Sequence, residues 1–265
     1  MEKEHNSKLI IAFLLIIICA SPFGLFLYAF IKILSDSFST ISVSSFDYIS
    51  LSDLGFSIAI SLISTICSVI IGSLISFHLL NSGKASFKYG ILNIVMVIPH
   101  LAFAYIIYLF FSDTGFLYRL FGIENGIALI NDTKGIGIIL NYIFKEVPFV
   151  ILYLMATNKD QMQGHIFAAK DLGANFIETF CKIYLPLNAL QIMSISIVIF
   201  AFVLGNYEVP FLLGANAPQF LSVSALADFQ SIDFDQNIAS YLKVIIIFFV
   251  TFLMSIAFRL YVRRL

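Results

Sequence analysis

Long apolar runs separated by short polar stretches make up most of the 265 residues of this chain. A helix needs about 20 apolar residues to cross the hydrocarbon core of a bilayer. Runs of that length predict spans near residues 9–33, 54–80, 89–111, 135–157, 188–212 and 241–261. A β-barrel is excluded because its strands alternate over about ten residues, whereas these runs are continuous. The pattern therefore predicts an all-α integral membrane protein with six transmembrane helices, forming one domain over residues 1–265.

Composition and charge agree with a membrane protein and indicate its orientation. Charged residues are 12% of the chain, against about 25% in soluble domains, and the net charge of −1 offers no basic surface to nucleic acid. With the N-terminus inside, ten of the fifteen Lys and Arg residues fall on the inner side. The positive-inside rule then predicts that both termini and the polar segment, residues 158–187, are cytoplasmic. The three Cys and four His are scattered, so we expect no metal site and no catalytic residues.

The second predicted span carries a stripe of small and hydroxyl side chains at helical spacing. Its members are Ser57, Ser61, Thr65, Ser68, Gly72 and Ser76. Residues three and four apart share one helix face, and small residues on that face let another helix approach closely. The stripe therefore predicts a helix that faces protein, either through simple packing or with Ser61 and Ser68 lining a solute path.

The fourth predicted span contains two ionisable residues near its middle, Lys145 and Glu146 in "FKEVPF". Charges at that depth are costly and usually point into a bundle or an aqueous cavity, so both residues are candidates for the path. Because adjacent helical residues point about 100° apart, we do not expect them to pair with each other. The alternative is that the span begins later and both residues lie at the outer interface, with Pro148 starting or kinking the helix.

The outer end of the fifth predicted span is broken by glycine and proline in "LGNYEVPFLLGANAPQFLSV", Leu204–Val223. Irregular backbone at membrane depth is tolerated only against protein or water, so the sequence predicts a re-entrant or looped element. Asn206, Tyr207 and Glu208 are then candidates for an outer gate. An extracellular turn without a role in gating is the alternative.

Polar residues with helix-capping signals interrupt the apolar pattern at "FAAKDLGANFIETFCKIYLPL", Phe167–Leu187. Asn175 and Glu178 have the spacing of a capping box, Gly173 is placed to end a preceding short helix, and Pro186 is placed to stop the next one. The predicted unit is a cytoplasmic helix, glycine turn and helix. Composition alone leaves two roles open, which are docking of another protein and an amphipathic helix resting on lipid.

The same stretch resembles the EAA motif, the cytoplasmic signature of permease subunits in binding-protein-dependent ABC importers. The matching positions are Ala168, Ala169, Gly173, Ala174, Ile183, Leu185, Pro186 and Leu187. The resemblance runs from "KEVPFVILYL" to "GNYEVPFLLG", and these flanks are closest to the subgroup for spermidine/putrescine, iron(III), sulfate, molybdate and phosphonate. Two features depart from the motif: Phe167 replaces its leading Glu, and the proline that often follows Leu-Pro-Leu is absent from "NALQI".

This resemblance implies a type I permease subunit whose cytoplasmic helix docks on a separate ATPase and couples it to transport through residues 165–187. The expected coupling residues are Phe167, Ala168, Ala169, Asp171, Leu172, Gly173 and Ala174. No GxxxxGK[ST] phosphate loop occurs in the chain, because Gly83 and Lys84 lack the remaining residues of that motif. The chain is therefore expected to be no enzyme and to hold no cofactor, with ATP and Mg bound by the partner ATPase.

The implied partners are an ABC ATPase dimer, a second permease subunit, an extracellular solute-binding protein and the lipid bilayer of a bacterial inner membrane, without nucleic acid. The replacement at Phe167 favours a heterodimer in which the other permease carries the stricter motif. The expected solute is small and polar or charged. The competing hypothesis is a secondary transporter driven by an ion gradient, with Lys145, Glu146 and Glu208 as its coupling-ion groups.

Overall fold

Helices form the regular structure of this protein, and no strand occurs among the residues described. The computed structural model describes residues 24–25, 28, 31–33, 35, 43–82, 92–112, 115–121 and 130–262. The first predicted span, 9–33, falls almost wholly outside them. In chain order the helices are α1 (Val43–Asp47), α2 (Leu51–Asn81), α3 (residues 92–97), α4 (His100–Phe111), α5 (Phe116–Phe121), α6 (Ile136–Asp171), α7 (Phe176–Leu187), α8 (Ala189–Gly205), α9 (Glu208–Leu213), α10 (Leu221–Phe229) and α11 (Phe234–Val262).

Four helices within the described part are long and apolar enough to cross a membrane. They cover Leu51–Asn81, His100–Phe121, Ile136–Thr157 and Asp235–Leu260. The pair α7 and α8, which meet at a bend of 72°, raises the number to five if it counts as one span. These five overlap the second to sixth predicted spans, although the third candidate, His100–Phe121, begins and ends later than the predicted 89–111. The protein is therefore a multi-pass membrane protein.

The helices α2 and α6 pack against each other in parallel and form the centre of the bundle. Gly135 lies against Ile60 near their starts, Gly72 meets Val150 near their middles, and Lys170 reaches the end of α2. Two helices that run in the same direction through a membrane must be separated by a third crossing. The parallel arrangement is therefore what the alternation of the second, third and fourth predicted spans requires.

The small-residue stripe of α2 is buried along its whole length. Ser57, Ser61, Ser68 and Ser76 have no exposed surface, and Thr65 is 4% exposed. A Cβ atom added to Gly72 would lie 2.6 Å from the Cβ of Val150, so the two backbones approach as closely as glycine permits. This helix faces protein, as predicted, and the contact at Gly72 favours the packing interpretation there.

One predicted helix boundary differs from the structure at the polar segment. The fourth span ends at Thr157, as predicted, but its helix α6 continues without interruption to Asp171, for 36 residues in all. The short helix predicted before Gly173 is therefore the last part of α6. Residues such as Gln and Met after the apolar run are good helix formers, so the change to polar composition ends the span but does not end the helix.

The end of the fifth span near Gly205 is broken, as its glycines and prolines predicted. Helix α8 ends at Gly205, α9 covers six residues, and a loop with a cis Ala217–Pro218 bond leads to α10. The sequence predicted no helix at α10, and it placed the start of the sixth span at residue 241 although α11 begins at Phe234. Helix α10 starts where Ser57 of α2 accepts a hydrogen bond from the Leu221 amide (2.7 Å), a contact remote in sequence.

Candidate functional site

The turn between α6 and α7 is held by two complementary helix caps. Gly173 adopts a left-handed conformation with φ of +86°, which favours glycine because it has no Cβ. Its amide donates to the Lys170 carbonyl (2.8 Å), and the Ala174 amide donates to the Ala169 carbonyl (3.0 Å). These two hydrogen bonds define a Schellman motif. The backbone of the turn is therefore fixed by its own hydrogen bonds.

The start of α7 forms the predicted capping box. The Glu178 amide donates to Oδ1 of Asn175 (2.9 Å), and the Asn175 amide donates to Oε2 of Glu178 (3.2 Å). The pKa of Glu178 is lowered first by that backbone amide and then by the ammonium of Lys182, which lies 3.2 Å from Oε1. Glu178 is thus ionised at neutral pH and satisfies an amide at the beginning of the helix.

An aromatic cluster anchors the polar segment to the end of α2. Phe77 of α2 has no exposed surface, and its ring centroid lies 4.8 Å from Phe176, 5.3 Å from Phe180 and 5.2 Å from Tyr184. Lys170 adds a polar link, because its Nζ donates to the Asn81 carbonyl (3.0 Å). The polar segment is therefore packed against the bundle at the C-terminal end of α2.

Apolar side chains project from this turn and are not covered by the described residues. The exposed fraction is 89% for Leu172, 71% for Ile177, 46% for Phe176 and 42% for Phe167. We call these four residues the exposed apolar patch. The backbone beneath them is fixed, so the patch is preformed, and exposed apolar patches of this kind mark contacts with other proteins or with a membrane.

The structure separates the predicted coupling residues into two groups. Ala168, Asp171, Leu172 and Gly173 are exposed beside Phe167, and Ala174 is partly exposed. Ala169 is only 4% exposed and faces the interior of the protein. The sequence did not predict Ile177 as part of this patch. Its position in the first turn after the capping box was the available signal, because an apolar residue there points away from the anchored side.

The two mid-span ionisable residues are buried rather than interfacial. Lys145 is 2% exposed and Glu146 is 5% exposed, and both belong to the uninterrupted helix α6, which also accommodates Pro148. Lys145 Nζ donates to the carbonyls of Val95 (2.7 Å) and Ile98 (2.6 Å). Glu146 Oε1 lies 3.0 Å from His100 Nε2. Both residues also lie well inside the candidate span Ile136–Thr157, which favours the mid-span position over the outer interface.

The predicted outer-gate residues lie at the junction of α8 and α9. Asn206 Oδ1 accepts from the Val209 amide (3.1 Å), and the Asn206 carbonyl accepts from the Ser222 hydroxyl (2.7 Å). Tyr207 and Glu208 are exposed. Tyr207 lines a mostly apolar cleft of about 510 Å³ between α8, α10 and α11. Asn206 thus shapes the junction, and the other two side chains remain accessible.

The remaining path candidates, Ser61 and Ser68, lie in the buried stripe of α2. Ser61 donates its hydroxyl to the Ser57 carbonyl of its own helix (2.7 Å), and the Ser68 hydroxyl has no partner among the described residues. The predicted site residues therefore fall into those of the polar segment and those of the bundle, which are Ser61 and Ser68 on α2, Lys145 and Glu146 on α6, and Asn206, Tyr207 and Glu208 at the α8–α9 junction.

A family model identifies the chain at this point. The model for the binding-protein-dependent transport system inner membrane component matches residues 68–265. The match covers well over half of the chain. It includes the polar segment, the later part of the second predicted span and all of the third to sixth predicted spans. The chain belongs to this family, and it is the permease subunit of a type I ABC importer, as the motif resemblance predicted.

A solved structure supports the same fold. A chain of the MetNI methionine ABC transporter, in inward-facing conformations, aligns with a TM-score of 0.56. The two chains are 17% identical, and the alignment covers 80% of this chain and 94% of the other. At this identity the likeness shows the fold alone. No curated protein matches the chain, so the predicted subgroup stays a prediction.

Proposed function

We propose that this subunit forms part of the path for a small polar or charged solute that an extracellular binding protein delivers. A separate ATPase dimer, which binds ATP and Mg, would drive the transport by docking on the polar segment. A second, different permease would complete the path. The family supports the general role, and both termini would then be cytoplasmic.

The exposed side chain of Leu172 is the observation that carries this proposal. Leu172 is 89% exposed on a turn whose backbone is fixed by the Schellman motif and the capping box. Because the backbone that carries this side chain is already ordered, a partner that covers it loses little of the binding free energy to ordering the turn. The adjacent Phe167 widens the apolar contact, which substitutes for the acidic residue of the family motif.

The test is co-purification of the ATPase with the tagged subunit, expressed together with its neighbouring genes. Burying a leucine contributes about 1.5–3 kcal/mol, so Leu172→Ala should weaken the complex about ten- to a hundredfold. Leu172→Asp and Gly173→Asp should abolish it while leaving membrane insertion intact. Ile232→Asp is the matched control, since Ile232 is fully exposed beside Asp233, which binds Tyr48 at the opposite end of α2.

Two results would decide the proposal. Loss of the ATPase in the Leu172 and Gly173 variants, with retention in the Ile232 variant, is expected. Full retention of the ATPase in Leu172→Asp would overturn the docking role. Mass analysis of the same purified complex tests the second permease: a different permease chain is expected, and a homodimer would refute the heterodimer alone.

A further inference from the structure

The segment predicted as the third span, 89–111, is interrupted at Pro99, and this break leaves two backbone carbonyls without helical partners. Helix α3 ends before Ile98, and α4 begins at His100. Proline has no amide hydrogen, so the carbonyl of Val95, four residues earlier, loses the donor that a continuous helix would supply. The Ile98 carbonyl lies at the break itself. Inside a membrane, unpaired carbonyls are strongly unfavourable.

Lys145 of α6 satisfies both of these carbonyls. Its Nζ donates to Val95 and Ile98 at 2.7 and 2.6 Å, and the side chain is 2% exposed. A cation at the C-terminal end of a helix also interacts favourably with the helix dipole. Two of the three hydrogens of the Lys145 ammonium group are thus donated to carbonyls at the break, and the ammonium group is covered by protein.

The next residue of α6 holds the other side of the same break. Glu146 Oε1 lies 3.0 Å from Nε2 of His100, the first residue of α4, and Glu146 is 5% exposed. The His100 ring packs against Phe202 of α8, with centroids 4.8 Å apart. Because adjacent helical residues point about 100° apart, one residue pair can reach both sides of the break.

We propose that Lys145 and Glu146 are positioning residues that hold the break in the third span, and that neither binds the solute or a coupling ion. Helix α4 packs against α9, which follows the predicted outer-gate residues Asn206 and Tyr207. The angle fixed at Pro99 therefore determines how α4 supports the outer end of the path. This inference does not rest on the docking of an ATPase.

A double-mutant cycle between Lys145 and Pro99 tests the proposal on the full chain in lipid nanodiscs, with thermal unfolding as the measurement. Lys145→Met should lower the Tm at least twice as much in the native background as in the Pro99→Ala background. The reason is that Pro99→Ala restores an amide that can bond to Val95. Lys145→Arg should retain most of the native Tm. If Lys145→Met cannot be purified, recovery on adding Pro99→Ala is the supporting result.

Equal losses of Tm in both backgrounds would overturn the positioning role of Lys145, as would a Lys145→Met variant that Pro99→Ala does not make purifiable. Either result would favour the solute-binding or ion-coupling interpretation of Lys145. A second readout separates positioning from a general loss of stability. In a chain without native cysteines, Leu101→Cys should change its rate of labelling by N-ethylmaleimide at least threefold when Lys145→Met is added, while Leu74→Cys, on α2, should not change. An unchanged rate at position 101 would also overturn the proposal.

Discussion

Replacing Gly72 by alanine should force apart the two helices at the centre of the bundle. An added Cβ would lie 2.6 Å from both Cβ and Cγ1 of Val150 and 3.4 Å from the Val147 carbonyl oxygen. Carbon atoms in contact normally lie about 3.5–4.0 Å apart. The Cβ of Val150 cannot rotate away because it is bonded directly to the backbone. The helices must therefore separate by about 1 Å.

The net effect follows from two opposing contributions. Overpacking a core costs about 1–3 kcal/mol, and a collision with a backbone-fixed atom belongs at the upper end of that range. The better helix propensity of alanine returns about 1 kcal/mol, leaving a net destabilisation of about 2 kcal/mol. Gly55→Ala is the control on the same helix. Nothing lies within 4 Å of its added Cβ, so it should stabilise by up to about 1 kcal/mol.

The measurement is reversible unfolding of the purified chain in mixed micelles as the fraction of denaturing detergent rises. Val150→Ala should rescue Gly72→Ala only slightly, because the Cβ at 2.6 Å remains. Val150→Gly should rescue it further by removing that atom. If Gly72→Ala is as stable as Gly55→Ala, the close packing of α2 on α6 is refuted, and the stripe on α2 regains its interpretation as a path lining.

Two further substitutions test remote contacts with the same unfolding assay. Ser57→Ala should destabilise the chain by about 1–3 kcal/mol, because it leaves the buried amide of Leu221 without an acceptor; a change near zero would contradict that role. Lys243→Met should destabilise by about 3 kcal/mol, because it leaves Asp228, 2.6 Å away and largely buried, as an unpaired charge. Lys182→Met, in an exposed pair, should change stability by less than about 0.5 kcal/mol, and equal effects of the two lysine variants would contradict the distinction.

The sequence was most informative where structure depends on neighbouring residues. The capping box of Asn175 and Glu178 and the left-handed turn at Gly173 form as their spacing predicted. The apolar runs gave the second span within a few residues of Leu51–Asn81. Helix capping and the length of an apolar run depend on residues close together in the chain, so both can be predicted from a single sequence. Leu172 is exposed, as the coupling role implied by the motif requires, whereas the inward orientation of Ala169 was not predicted.

The sequence was least informative where a helix depends on distant contacts. Helix α10 follows a loop that contains Gly214 and Pro218, and these residues made the whole region resemble a turn. Its first amide finds an acceptor in Ser57, on a helix remote in the chain. The early start of α11 at Phe234 likewise accompanies its packing against α10. No local pattern reports that packing.

The partners of Lys145 could have been sought in the sequence by comparing the charged residues of one span with the prolines of the other spans. Depth alone identified Lys145 as unusual and suggested a solute or an ion as its partner. Its partners are instead the carbonyls of Val95 and Ile98, next to a proline in another span. A proline inside an apolar run removes an amide donor, so a carbonyl of that run needs a hydrogen-bond donor from another part of the protein. A buried lysine in a membrane protein should therefore be compared with the prolines of the other spans before it is assigned to a transport path.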